Sequence, residues 1–130
     1  LKVSPDLSHE QLDEIIDYCL RSGIDGIVAG NTTRSREGLT SISKEKIEEI
    51  GNGGMSGAPV HKKNLELVRY VHTKSDGKLP IIGVGGIMSP EQAKAMLDAG
   101  ASLVEIYSGF IYEGPSLVKR ILKYLEQIGK

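Results

Sequence analysis

The stretch "PIIGVGGI", Pro80 to Ile87, runs apolar residues into a glycine pair, and "MSPEQAKAMLDAG" follows directly. The first segment is short, apolar and rich in β-branched residues, so it reads as a buried strand. The second reads as a helix, with Ser89 as N-cap, Pro90 at the first helical position and Gly100 just past its end. A buried strand ending in bare backbone at the mouth of a helix is one β-α unit.

The rest of the chain repeats that unit. "LKVSP" is a strand end, after which Ser8 opens "SHEQLDEIIDYCLRSG". Ser8 with Gln11 has the form of a capping box, and Gly23 stands at the helix stop. "DGIVAGN" is too compact for a helix and reads as a second strand. Thr32 to Pro59 is loop-rich, interrupted by a helical piece, "SKEKIEEI". Asn64 to Lys74 shows Leu65, Val68 and Val71 or His72 on one helical face. "SLVEIYSG" is the fourth strand, and Pro115 starts a last helix with Leu117, Val118, Ile121, Leu122, Leu125 and Ile128 as its stripe.

Four β-α units with near-continuous apolar strands predict an α/β fold with parallel strands covered on both sides. Two closed solutions remain at this level: an open doubly wound sheet, or part of an eight-stranded (β/α)8 TIM-type barrel. Both place chemistry at the C-terminal strand ends. Residues 1–130 read as a single domain. The chain opens within a strand-like piece, which suggests the C-terminal part of something longer.

Composition excludes several functions. Lys and Arg number 16 against 17 Asp and Glu, with no clustered positive excess, so no nucleic-acid groove or polybasic membrane patch is expected. Cys19 is the single cysteine, so an internal disulfide and a cysteine-based metal cluster are both impossible. It shares a helical face with Leu12, Ile15 and Ile16 and is expected in the core. No apolar run approaches the ~20 residues of a membrane span. His9, His61 and His72 lack metal-ligand spacing, and structural or solvent roles are expected for them.

The chemistry-bearing groups lie at strand ends. Gly83, Gly85 and Gly86 allow backbone to approach a ligand, and the following helix offers free N–H groups, together a phosphate cradle. "YSGF", Tyr107 to Phe110, ends the last strand and can complete it. The same glycines would also serve a plain tight turn. "GNTT", Gly30 to Thr33, supplies an amide and two hydroxyls suited to a flat polar ligand, or simply caps a turn. "GGMSG", Gly53 to Gly57, is a second glycine-rich loop. Lys2 places positive charge at a strand end, and Asp6 and Glu105 are the acids nearest such ends. No carboxylate pair has catalytic spacing. These residues describe a phosphate-binding α/β segment without an evident acid–base group.

Taken together, "KVSPD", "GNTT", "GGMSG", "IIGVGGI" and "AGASLVEIYSGFIYEGPSLVKRI" resemble the C-terminal half of class 2, quinone-dependent dihydroorotate dehydrogenases. The resemblance runs over nearly the whole chain in the family's order. It implies the last four β-α units of a (β/α)8 barrel, FMN as cofactor, and oxidation of dihydroorotate to orotate in pyrimidine biosynthesis with a quinone as acceptor. Carried over position by position, Lys2, Gly30, Gly57, Gly86, Tyr107 and Ser108 match FMN-binding positions, and Asn31 and Thr32 match the residues that hold the orotate ring. Position 30 is often Ser or Thr in that family; Gly30 keeps only a backbone contact.

The family's catalytic serine lies in the N-terminal half of its barrel, as do the helices that form the quinone tunnel. None of Ser4, Ser8 or Ser56 matches the context of that base. The resemblance therefore implies half of a flavin site with no catalytic residue in this chain, inactive alone and prone to self-association. It implies peripheral attachment of the full-length protein to the cytoplasmic face of the membrane, with this segment soluble. Alternatives on the same residues are another phosphate-binding barrel enzyme, such as an isomerase or a thiamine-phosphate synthase-like protein, or a non-catalytic phosphate-binding module.

Overall fold

The structure, a computed structural model, describes residues 1–37, 39 and 42–129. Four strands form one parallel sheet: β1 (Lys2–Val3), β2 (Ile27–Ala29), β3 (Ile81–Val84) and β4 (Leu103–Glu105). Their spatial order is β1-β2-β3-β4, the order of the chain. A doubly wound sheet reverses direction at a switch point; this sheet does not. Its strands advance one step at a time, as barrel strands do, and that decides between the two architectures left open by periodicity.

Among the described residues six helices follow the strands: α1 (His9–Ser22), α2 (Lys44–Ile50), α3 (His61–Lys74), α4 (Pro90–Asp98), α5 (Ser108–Glu113) and α6 (Ser116–Gln127). The capping box forms as read: Ser8 Oγ accepts from the Gln11 N–H at 3.3 Å, and the Ser8 N–H donates to Gln11 Oε1 at 3.0 Å. Gly23 ends α1 in the left-handed region at φ 72°. Ser89 caps α4, Pro90 is its first residue, and Gly100 follows at φ 112°.

Register shows which face each residue takes. Val3, Ala29, Gly83 and Val104 align across the sheet, and this row turns toward the helices. Val3, Ala29 and Gly83 are buried there, over a core that includes Ile16, Cys19, Val68, Val71, Met96 and Leu117. Lys2, Val28, Ile82 and Leu103 align on the opposite face, where Leu103 is 62% exposed and Val28 and Ile82 are half-buried. The strands are thus covered by helices on one side, not on both as their composition implied. The uncovered side is the face a barrel turns inward.

Three boundaries differ from the sequence reading. A 3-10 turn, Ala58–Val60, leads directly into α3, which begins at His61 rather than Asn64. The buried stripe of α3 is Asn64, Leu67, Val68 and Val71: Val68 and Val71 stand as read, while Asn64 and Leu67 take the place expected of Leu65. The run after β4 contains a separate short helix, α5, and Pro115 is the cap of α6 rather than its first residue.

Candidate functional site

A cleft of about 320 Å³ lies across the C-terminal ends of the strands. All eight residues singled out from the sequence, Lys2, Gly30, Asn31, Thr32, Gly57, Gly86, Tyr107 and Ser108, line it. Each strand end contributes. Lys2 projects from the open face of β1, and Gly30, Asn31 and Thr32 follow β2. Gly86 follows β3, and Tyr107 and Ser108 follow β4. Glu105, the last residue of β4, stands in the same wall.

The end of β3 is bare backbone by necessity. Gly86 adopts φ 68°, and a Cβ there would lie 2.7 Å from the Gly57 carbonyl oxygen, the His61 nitrogen and the His61 Cβ. Three segments meet at that point: the β3 end, the "GGMSG" loop and the start of α3. Among the described residues, no carbonyl or side chain accepts from the N–H of Gly85, Gly86 or Ile87, whereas the Met88 N–H donates to Gln92 Oε1 at 2.7 Å. Gly86 and Ile87 are buried. Both line the cleft, where backbone donors without a protein acceptor can bind an anion.

The same loop meets the end of β4, where Ser108 Oγ donates to Ser56 Oγ at 2.9 Å. The "GGMSG" loop is itself fastened to the segment after β2. Thr33 and Met55 exchange backbone hydrogen bonds of 3.1 and 2.7 Å, and Arg36 Nη2 donates to the Gly53 carbonyl at 2.5 Å. Gly54 sits so close to Thr32 that a Cβ would fall 2.1 Å from its hydroxyl oxygen.

A polar clamp holds "GNTT" from outside the cleft. Asp6 Oδ1 accepts from Thr33 Oγ1 at 2.5 Å and from Lys63 Nζ at 2.7 Å, and Oδ2 accepts from the Arg34 N–H at 2.8 Å. Partial burial acts to raise the Asp6 pKa and is the largest single influence. The bonds from Lys63, Thr33 and Arg34, with the Lys63 charge, together outweigh it and lower the value from 3.8 to about 2. A carboxyl depressed on folding stabilises the fold where it is ionised in both states, above 3.8, and that contribution is lost as pH falls through the window to about 2. Asp6→Asn is therefore expected to flatten the acid limb of stability. Urea midpoints measured across that window should fall more steeply for the parent chain and draw level with the variant at its acid end; parallel curves would contradict the assignment.

The histidines take the structural places expected of them. His9 stacks on Tyr70 with ring centroids 4.3 Å apart, His61 Nδ1 lies 3.3 Å from the Gly85 carbonyl, and His72 packs under Gly100. Among the described residues no group of His, Cys, Asp and Glu is arranged to hold a metal ion, and no helix is long and apolar enough to cross a membrane. Two residues carry contacts that the motifs did not assign: Ser56, in the glycine-rich loop of the cleft wall, and Asn64, behind the cleft on the buried face of α3. A polar residue at i−4 and i−7 from Val68 and Val71 was the available signal.

Fold and cleft together define a segment of a parallel α/β barrel whose site is assembled from successive strand ends. The family model for dihydroorotate dehydrogenase matches residues 1–128, and the chain belongs to that family. It is 50% identical over 121 residues to a dihydroorotate dehydrogenase (quinone) from Christiangramia forsetii, covering 93% of this chain and 34% of that one. It is 45% identical over 119 residues to the corresponding Salinispora arenicola protein, covering 92% and 35%. The crystal structure of ligand-free DHODH from Eimeria tenella superposes with a TM-score of 0.86 at 37% identity, over 98% of this chain and 35% of that one. The chain thus spans about a third of the length of the curated relatives it matches.

Proposed function

We propose that this chain forms the FMN- and orotate-binding half of a quinone-dependent dihydroorotate dehydrogenase. The observation that carries the reading is convergence: eight residues from four strand ends line one cleft, although they are scattered from position 2 to position 108. The donor set fits a flavin mononucleotide. Free N–H groups at Gly86 and Ile87 with the Ser108 hydroxyl suit a phosphate, and the Lys2 ammonium suits an electron-rich ring. FMN, when bound, supplies the hydride acceptor for oxidation of dihydroorotate.

The residues of this chain then bind and orient. Lys2 holds negative charge at the ring by Coulomb attraction on a face turned away from bulk solvent in a closed barrel. Asn31 and Thr32 fix the orotate ring through uncharged hydrogen bonds. Gly57 lets the loop backbone close on the ligand, and Tyr107 and Ser108 complete the phosphate end. Proton removal from substrate falls to a serine outside these 130 residues, so the chain alone is expected to bind without turnover. Electrons pass to a quinone at a site it does not contain, and membrane attachment of the whole protein belongs to that same missing region.

The test is flavin uptake. The purified chain is expected to retain visible flavin absorbance, to lose it on Lys2→Ala, and to show a spectral change with orotate. Uptake indifferent to Lys2→Ala, or binding of simple sugar phosphates without flavin, would favour a different phosphate-binding barrel. Self-association is also proposed. β1 and β4 are sheet edges, and Leu103 on β4 is 62% exposed on the uncovered face. Light scattering during size exclusion should report a dimer or larger species, and a compact monomer at high concentration would sink that proposal.

A further inference from the structure

Asn64 is fully buried on α3, and among the described residues its Oδ1 is the one buried side-chain polar atom without a hydrogen-bond partner. Burying an acceptor unmade is costly, and an apolar residue would avoid the cost. The amide's other end explains its presence: Nδ2 donates to the Asn31 carbonyl at 3.1 Å. Reversing the amide would set two acceptors against each other and strand a buried donor instead, so the orientation is fixed by its surroundings.

The site is shaped for this amide. A Cβ on Gly30 would fall 2.3 Å from Asn64 Oδ1, and a Cβ on Gly85 would fall 2.0 Å from Nδ2. The amide occupies the volume that side chains on both strand ends would take. It wedges between β2 and β3 from behind, out of the cleft, while its partner Asn31 stands in the cleft wall. Asn31 is held at a second point, because its own Oδ1 accepts from the Thr32 N–H at 2.9 Å. With carbonyl and side-chain oxygen both engaged, Nδ2 of Asn31 is the donor left for a ligand.

We propose that Asn64 is a positioning residue: it fixes Asn31 so that the Asn31 Nδ2 faces a flat, oxygen-bearing ring in the cleft. This rests on the reading of Asn31 as a ring-binding residue, and the test separates the two. Asn64→Ala removes the amide, and Asn64→Val keeps most of its volume as a second variant should the first fail to fold. In the free chain, the side-chain NH2 resonances of Asn31 are expected to move in both variants toward those of exposed Asn52, while the backbone amides of α3 stay in place. An unmoved Asn31 signal in a folded variant overturns the proposal.

Orotate titration with FMN present is the second readout. Loss of one neutral hydrogen bond of alignment is expected to weaken orotate about five- to tenfold and to leave FMN affinity within about twofold. Equal weakening of both ligands would mark Asn64 as mere packing and overturn the proposal. A parent chain that binds no orotate at all refutes the functional reading instead, and the Asn31 resonances then decide the positioning role alone.

Discussion

Gly86→Val is expected to abolish flavin uptake and to destabilise the chain by about 2–5 kcal/mol, the sum of a left-handed backbone forced on a branched residue and of overpacking. The new side chain has nowhere to go, because its Cβ alone would meet Gly57 and His61 at 2.7 Å. To relieve that contact the β3 end must leave the "GGMSG" loop or the start of α3. Either movement turns the free N–H groups of Gly86 and Ile87 away from a common target. Flavin absorbance after gel filtration and a urea unfolding curve measure the two losses separately. Gly53→Ala is the control: it lies in the neighbouring glycine loop with nothing within 4 Å of its Cβ, and should change neither. Normal uptake by Gly86→Val would remove this glycine from the proposed phosphate site.

Leu117→Ala is expected to be the largest loss from a single core position that touches no ligand. Leu117 is 0% exposed on α6, which packs against α4 and α5. Its methyl reaches Gly109, whose Cβ would lie 3.1 Å from Leu117 Cδ2 and 2.1 Å from the Ile87 carbonyl oxygen. Truncation leaves a cavity under the short helix that carries Ser108, at a cost of about 2–5 kcal/mol. Leu122, on the same helix but 57% exposed, should cost about 0.5 kcal/mol or less on the same change. Denaturant titration of the two variants compares them directly. Equal losses would mean that α6 is not seated as described. Flavin affinity should fall with Leu117→Ala but less than with Gly86→Val, because the donors are loosened rather than displaced.

Much of this was legible in the chain because the signals were local. Ser8, Gly23, Ser89, Pro90 and Gly100 punctuate α1 and α4 through backbone chemistry that spans three or four residues. The residues that line the cleft were legible for another reason: short motifs at strand ends resembled one family in order and kind. Periodicity alone did not tell a barrel from a doubly wound sheet, since the same apolar strands serve both; the family resemblance pointed to the barrel, and the spatial order of the strands agrees with it. Helix α5 was missed because Tyr107 gives it no side-chain cap and its six residues show no period. The bond of Lys63 to Asp6 joins positions 57 residues apart, beyond any local pattern. Asn64 was missed because a buried amide in an apolar stripe makes sense only once its neighbours are known to be glycines.

The segment after β2 is fastened from three directions: by Asp6 from the turn after β1, by Met55 from the glycine loop and by Asn64 from α3. Its conformational entropy is therefore surrendered during folding, not at the moment a ligand arrives. Association at "GNTT" should then carry little ordering penalty, so that even a small, uncharged set of hydrogen bonds yields useful affinity. A loop of the same sequence on a looser frame would need charge to achieve the same grip, and charge discriminates poorly between ligands of equal formal charge.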